Sequence, residues 1–314
     1  MIPVRVASRV IAAQDVVRLE LEPLEGALPS FTAGSHIDLV LGNGLTRQYS
    51  LCNAPGDDGP YRIAVLREAT SRGGSQAVHD DLIEGATLQI SPPRNLFDLN
   101  ETADSYLLVA GGIGITPILA MAYRLYAIGK PFSLHYCARD PARAAFLDEL
   151  TSAPFADMVH LHFDSDPTTG LSADAFQAPS PGRRLYVCGP TGFMDFIIKR
   201  AADLGWDGDQ IHREYFAAAP LATDQNRPFD LVIASTGQTL TVGADQTAAQ
   251  VLEAAGVFVP LSCEQGICGT CLTPVLFGQP DHRDLFQTDE EKQSNLLFAP
   301  CCSRAMTPSL TLDL

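Results

Sequence analysis

The stretch Cys263-Glu264-Gln265-Gly266-Ile267-Cys268-Gly269-Thr270-Cys271 constrains this chain more than any other. Its three cysteines stand in C-x4-C-x2-C spacing, and Cys301 follows Cys271 after 29 intervening residues. That is the ligand spacing of a plant-type [2Fe–2S] centre. Four thiolates must converge on two irons, so a loop that supplies three of them has to wrap tightly. Gly266 and Gly269 permit the wrapping, because a residue without Cβ accepts positive φ and lets backbone N–H groups approach the sulfur atoms. A structural zinc site usually pairs two short C-x2–4-C units, whereas here the fourth cysteine arrives alone. Cys263, Cys268, Cys271 and Cys301 are therefore the expected cluster ligands, ahead of zinc or four unrelated core thiols.

A chain of 314 residues suits two or three domains. From Val4 to about Asn100 six short alternating segments (Val4–Val10, Val16–Glu22, His36–Leu41, Gln48–Cys52, Tyr61–Leu66, Thr87–Ser91) are separated by turn clusters. They predict an antiparallel β-barrel, with one helix near Ser75–Ile83. The rhythm changes at Tyr106. Strands at Tyr106–Ala110, Ser133–Ala138, Met158–Phe163 and Leu185–Cys188 alternate with helices near Pro117–Ile128, Pro141–Leu150 and Thr191–Leu204. Such alternation predicts a parallel sheet covered on both faces. A proline-containing linker follows, then a hairpin (Phe229–Thr236, Gln238–Val242), a helix around Ala248–Ala255 and the cysteine loop. The expected limits are 1–102 for the barrel, 103–219 for the α/β domain, 220–228 for the linker and 229–314 for the cysteine domain.

Three further motifs carry chemistry. Arg47-Gln48-Tyr49-Ser50-Leu51 places an arginine, an aromatic ring and a hydroxyl on one strand, a set able to clamp a phosphate and cover an isoalloxazine ring. An ordinary barrel strand shows the same alternation. Ser71-Arg72-Gly73-Gly74-Ser75 opens the barrel's helix and reads either as an anion site at a helix N-terminus or as a plain Ser-capped turn. Two phosphate-competent sites in one small barrel favour a flavin phosphate. Gly111-Gly112-Ile113-Gly114-Ile115-Thr116-Pro117 follows an apolar strand and opens a helix, where a doubly wound sheet binds dinucleotides. It is not a G-x-G-x-x-G fingerprint, since Pro117 takes the last place. Thr116 is expected as a hydroxyl near the flavin. Cys188-Gly189-Pro190 ends another strand, so both loops belong at the carboxyl edge of one sheet. Simple β–α turns also carry glycine and proline in this way.

In this order, these motifs make the chain resemble the phthalate dioxygenase reductase and vanillate demethylase reductase family, the one-chain class IA reductases of Rieske oxygenases in aromatic catabolism. The resemblance spans nearly the whole chain. It takes in Pro93-Arg94-Asn95-Leu96-Phe97, Leu134-His135-Tyr136-Cys137-Ala138-Arg139, His212-Arg213-Glu214-Tyr215-Phe216 and Cys301-Cys302-Ser303-Arg304. It implies a flavin-binding barrel, a ferredoxin-reductase-type nucleotide domain and a C-terminal β-grasp ferredoxin. The implied cofactors are FMN, NADH and a [2Fe–2S] cluster, and the implied partner is a Rieske-type terminal oxygenase. By resemblance Arg47, Gln48, Tyr49 and Ser50 bind FMN, with Gly74 and Ser75 at its phosphate. Gly112, Gly114, Thr116, Arg139, Cys188, Gly189 and Pro190 would meet NADH. No acid–base residue is required, because the cofactors carry the chemistry. The chain departs from the family in one place, where Cys302 follows the fourth ligand; the 29-residue gap favours Cys301.

The formal charge of −16 argues against nucleic acid or anionic membrane as partner. Tyr106–Tyr123 lacks charge over 18 residues, but Gly111, Gly112, Gly114 and Pro117 break it into strand, loop and helix. The first twenty residues hold Arg5, Arg9, Asp15, Arg18 and Glu20 and read as no secretory signal. Cys52, Cys137, Cys188 and Cys302 lie in apolar runs as free thiols, which favours a reducing, cytoplasmic setting. A monomer is expected. Arg139 and Arg143 stand where an arginine could meet a 2′-phosphate, so NADPH stays open beside NADH. The histidines show no metal spacing, and His160 and His162 are expected to face opposite sides of their strand. There is no nucleophile elbow and no phosphate-loop lysine. Asp289-Glu290-Glu291 is expected as the acidic first turn of a helix.

Overall fold

A computed structural model describes residues 1–69, 73–176, 178–216 and 224–314. Ser71 and Arg72 of the expected anion loop, and residues 220–223 of the expected linker, lie outside the described residues. The chain forms two compact units, Met1–Phe216 and Ala217–Leu314.

The first unit opens with β1 (Ile2–Ala13), β2 (Val16–Pro23), β3 (Ser35–Val40), β4 (Thr46–Ser50), β5 (Tyr61–Leu66), α1 (Gly74–Asp81), β6 (Thr87–Ile90) and β7 (Arg94–Asn95). Five of the six expected strands match to within about two residues, and the first runs longer than expected at both ends. The sheet order is β4-β3-β6-β1-β2-β5, all antiparallel, with β7 on β3. Beyond β4 the chain returns to β5, where Cys52 N donates to Arg62 O at 2.8 Å, so the two ends of the order meet. Inside, every second residue is apolar: Val4, Val6, Leu19, Leu21, Ile37, Leu39, Ile63 and Val65 are buried.

The parallel sheet follows with β8 (Ser105–Gly111), α2 (Ile115–Ala127), β9 (Phe132–Ala138), α3 (Leu147–Ser152), β10 (Val159–Phe163), β11 (Arg183–Cys188), α4 (Thr191–Asp203) and β12 (Ile211–Glu214), in the order β10-β9-β8-β11-β12. Two expectations fail here. The helix expected over 141–150 is a short 3-10 turn, Pro141–Arg143 under the Asp140 cap, and then α3. Between them Ala144, Ala145 and Phe146 turn into the core, and Phe146 takes a left-handed φ of 66° to do so. The second failure is the histidine pair: residues two apart on a strand share a face. His160 and His162 both stack on His135, with centroids 4.7 and 5.2 Å away, and His135 Nδ1 lies 2.9 Å from His162 Nε2.

Barrel and parallel sheet share a core in which Val16, Cys52, Ala64 and Phe97 pack with Leu108, Leu119 and Tyr186. A bidentate pair joins them as well. Arg62 reaches Glu149 at 2.6 and 3.2 Å, and the Tyr123 hydroxyl donates to the same carboxylate at 2.6 Å.

The second unit comprises β13 (Phe229–Ile233), β14 (Thr239–Val242), α5 (Ala248–Ala254), β15 (Thr273–Phe277), β16 (Pro280–Asp281), α6 (Asp289–Ser294), β17 (Leu297–Phe298), β18 (Arg304–Ala305) and β19 (Ser309–Leu312). Its main sheet runs β14-β13-β19-β15-β17, with the final strand β19 parallel to the first strand β13. α5 packs Ala248, Ala249 and Leu252 into the core, behind a capping box of Thr247 and Gln250. α6 carries its three acids in a first turn capped by Thr288, as the sequence implied. Among the described residues no helix is long and apolar enough to cross a membrane.

Candidate functional sites: a two-loop crevice and a four-cysteine cavity

In the first unit both glycine loops lie at the carboxyl edge of the parallel sheet, side by side. A Cβ on Gly114 would fall well inside contact distance of the Cys188 carbonyl and 2.6 Å from Gly189 N. Gly189 in turn approaches Gly111 Cα at 3.1 Å by the same measure. Only residues without side chains allow two β–α turns to close so tightly. The Phe193 ring, in the first turn of α4, seals the far side, since a Cβ on either Gly111 or Gly189 would strike it. The Thr116 hydroxyl, expected near the flavin, is buried and donates to Ile113 O at 3.0 Å. Arg139 is exposed just past β9. Arg143 is engaged with Asp140 and Asp15, at 3.4 and 3.9 Å.

On the barrel side the four residues of β4 diverge. Arg47 lies along Gly74, whose Cβ would sit 2.6 Å from Arg47 Cγ, so the anion loop and the arginine form one cradle. Gly73, with φ 89°, caps α1, and the Ser75 hydroxyl accepts from Glu68 N at 3.1 Å. Tyr49 is half-buried against the barrel core, where burial pushes its phenol up. Gln48 points away from Arg47 and lies 3.3 Å from the His36 ring nitrogen. Burial, then Arg94, lowers that histidine to about 4.

Ser50 leads to a residue that sequence reasoning passed over. Its hydroxyl donates to Glu214 Oε2 at 3.5 Å, and Glu214 is paired in register with Cys188 on the neighbouring strand. Burial pushes the Glu214 carboxyl up to about 8, and the Ser50 hydrogen bond only partly opposes this. The Cys188 thiol is fully buried and raised far above the usual thiol range, first by burial and then by Glu214. Barrel strand, glycine loops and an acid held near neutrality thus meet at one point. The signal was in the sequence, since Glu214 stands in the quoted His212–Phe216 stretch; the strand β12 that delivers it was not foreseen.

In the second unit Cys263, Cys268, Cys271 and Cys301 line one cavity with Gly266, Gly269, Asp284 and Phe286. The sulfurs pair two by two. Cys271 Sγ lies 3.3 Å from Cys301 Sγ, and Cys263 hydrogen-bonds Cys268. That second bond draws Cys268 down to about 5 and raises Cys263. Two-plus-two is the donor set for two irons, not for one zinc, so the residues fit a [2Fe–2S] cluster. Gly266 and Gly269, with φ 76° and 66°, supply the wrapping: a Cβ on Gly266 would meet Cys302 Sγ at 2.5 Å, and one on Gly269 would meet the Phe286 ring at 2.7 Å. Cys302 is absent from the cavity wall and packs in the core behind it. Arg304, quoted with it, ties the carbonyls of Arg227, Gly243 and Gln246 together.

Fold and sites define an iron–sulfur oxidoreductase in which a reductase unit is joined to a cluster domain. The family of 2Fe-2S iron-sulfur cluster binding domains matches residues 231–306, and the N-terminal domain of dimethylamine monooxygenase subunit DmmA-like proteins matches 87–211. A vanillate O-demethylase oxidoreductase of Pseudomonas sp. (strain HR199 / DSM 7063) is 53% identical over 317 residues, covering 100% of both chains. A solved phthalate dioxygenase reductase, described as a modular structure for electron transfer from pyridine nucleotides to [2Fe-2S], is 39% identical at TM-score 0.77, covering 99% of this chain and 97% of that one. An intact type IV self-sufficient cytochrome P450 monooxygenase matches all of this chain at 38% identity and TM-score 0.88, over 41% of its own length. The chain belongs to the family of phthalate dioxygenase and vanillate O-demethylase reductases.

Proposed function

We propose that this chain is the NADH-dependent reductase component of a Rieske-type aromatic-ring oxygenase or demethylase, a cytoplasmic monomer with FMN in its barrel. The domain limits 1–102, 103–219 and 229–314 then correspond to flavin, nucleotide and cluster modules. A flavin bound there would supply the exchange between two-electron hydride chemistry and single-electron transfer that a [2Fe–2S] cluster needs. The protein's part is positioning. Arg47 and the Gly74–Ser75 turn hold the flavin phosphate, while Tyr49 and Ser50 address the ring system. The loops Gly112–Thr116 and Cys188–Pro190 hold the nicotinamide end. Cys263, Cys268, Cys271 and Cys301 hold the irons.

One observation carries this reading: a hydroxyl of the flavin strand, Ser50, reaches an acid beside the nucleotide loop, Glu214, in a chain that also owns a two-plus-two cysteine cavity. NADH is preferred on the family resemblance. Of the two arginines placed to meet a 2′-phosphate, Arg143 is engaged by two carboxylates and Arg139 is exposed, so rates with NADH and NADPH compared in wild type and R139A decide the cofactor. The purified protein should show a combined flavin and iron–sulfur spectrum, with two irons, two sulfides and one FMN per chain. NADH should bleach both chromophores. A colourless protein, or FAD on extraction, overturns the assignment. A second reading, a haem acceptor, is favoured by the likeness to the P450 that carries the same modules. Side-by-side reduction of a Rieske oxygenase and a P450 domain separates the two.

A further inference from the structure

We propose that the Asp284 carboxylate is a fixed buried charge that holds the reduction potential of the cluster low. The proposal rests on the cluster reading of the four-cysteine cavity. Among the described residues that line that cavity Asp284 is the one polar side chain besides the cysteines, and it is 2 % exposed. It stands directly against the ligand loop: a Cβ on Gly266 would lie 3.0 Å from Asp284 Cα, and Leu285 N donates to Gly266 O at 2.8 Å.

Its hydrogen-bond partners are neutral. Gln287 N donates to Oδ2 at 2.9 Å, Gln287 Nε2 to Oδ1 at 3.1 Å, and the Ser303 hydroxyl to Oδ1 at 3.5 Å. The His282 ring nitrogen is more distant, 3.8 Å from Oδ1. The adjacent Arg283 turns its guanidinium elsewhere, to Asp281 at 2.8 Å and Asn226 at 2.8 Å. Arg304 is spent on backbone carbonyls. The carboxylate is thus solvated by dipoles without a guanidinium or ammonium neutralising it.

A buried carboxylate costs free energy even when hydrogen-bonded, and a pairing arginine one residue away is not used to offset it. What the arrangement does accomplish is electrostatic. Reduction places one more negative charge in the cavity, and in a region poor in water two like charges repel far more strongly than at the surface. Asp284 therefore favours the oxidised cluster and makes the reduced one a stronger donor.

The D284N variant removes the charge and keeps the shape. The new amide group is accommodated by rotation of the Gln287 amide, whose buried Oε1 has no hydrogen-bond partner. The midpoint potential of the cluster is read by redox titration of the intact protein, followed by its paramagnetic resonance signal. We expect D284N to favour reduction about tenfold, which for one electron is about 59 mV upward. The exposed E290Q on α6 should leave the potential in place, because salt screens surface charge. An unshifted potential in a cluster-loaded D284N overturns the proposal. Should D284N fail to hold the cluster, D284S is titrated in its place. Loss of cluster in both, with D284E intact, makes Asp284 structural and equally overturns it. A wild-type chain without the cluster signal would instead refute the reading on which the proposal rests.

Discussion

Glu214 offers the sharpest perturbation, because its carboxyl is held protonated over a pH range in which an unfolded chain would release the proton. Burial raises it from 4.5 to about 8. At about 1.4 kcal/mol for each pH unit, that rise corresponds to an upper bound of roughly 5 kcal/mol. Glu214 keeps part of its surface in contact with water, so about half of that is the realistic expectation. The direction follows from proton counting. Below about pH 4.5 folded and unfolded chains both carry the neutral acid, and nothing is lost. Between pH 4.5 and 8 the unfolded chain gives up a proton that the folded chain retains, so stability declines as pH rises and levels off above about 8. E214Q cannot ionise and should lack that decline. Thermal unfolding at pH 5 should find wild type and variant alike, whereas at pH 9 the variant should be more stable by about 2–3 kcal/mol, several degrees in Tm for a unit of this size. Because the same carboxyl touches β4, the strand proposed to meet the flavin, through Ser50, wild-type flavin reduction by NADH should also change with an apparent pKa near 8, absent in E214Q. Parallel stability curves for the two proteins across this range would refute the reasoning.

Other outcomes follow from the same geometry. C301S should lose the cluster, whereas C302A should keep it, since Cys302 packs behind the cavity wall; iron and sulfide content decides. G114A should abolish NADH oxidation while leaving the cluster in place, because its Cβ meets the Cys188 backbone, which cannot rotate away, at a cost of about 1–3 kcal/mol. E149Q should cost about 2 kcal/mol by leaving the Arg62 guanidinium without its bidentate partner, a loss measurable by chemical denaturation. Reduction of the protein acceptor should slow as salt rises, because from Arg227 to Leu314 ten Asp and Glu face four Lys and Arg, of which Arg283 and Arg304 are engaged internally. A salt-independent rate would count against electrostatic docking.

Much of the architecture was legible because its signals are local. The barrel strands announce themselves by alternation, and Val4, Val6, Leu19 and Leu21 bury as period two requires. The glycine loops could be placed at one sheet edge because parallel β–α units leave their turns on one side. The cysteine spacing singled out the four residues that line one cavity because a short wrapping loop admits few geometries. What stayed hidden depends on packing between segments distant in sequence. The strand Ile211–Glu214 is four residues long and polar at three of them, so nothing local marks it; only its pairing with Leu185–Cys188 makes it a strand. The helix expected at 141–150 was lost to the core, which draws Phe146 inward at the expense of regular backbone.

The two histidines show a different kind of limit. Their spacing alone dictates one shared face, so the expectation of opposite faces was an error of inference and not a silence of the sequence. The site residues fall between these cases. That Ser50 carries a hydroxyl is a matter of sequence, but that it meets Glu214, 164 positions away, follows only from the packing of the barrel on the parallel sheet. Residue chemistry can thus be listed from the sequence, while the burial that raises this carboxyl to about 8, and the Ser50 hydrogen bond that partly opposes it, are properties of the joint. A substitution at that joint, such as E149Q, should accordingly weaken flavin reduction without touching any group that contacts a cofactor. The same change should leave the cluster potential, which belongs to the other unit, where it was.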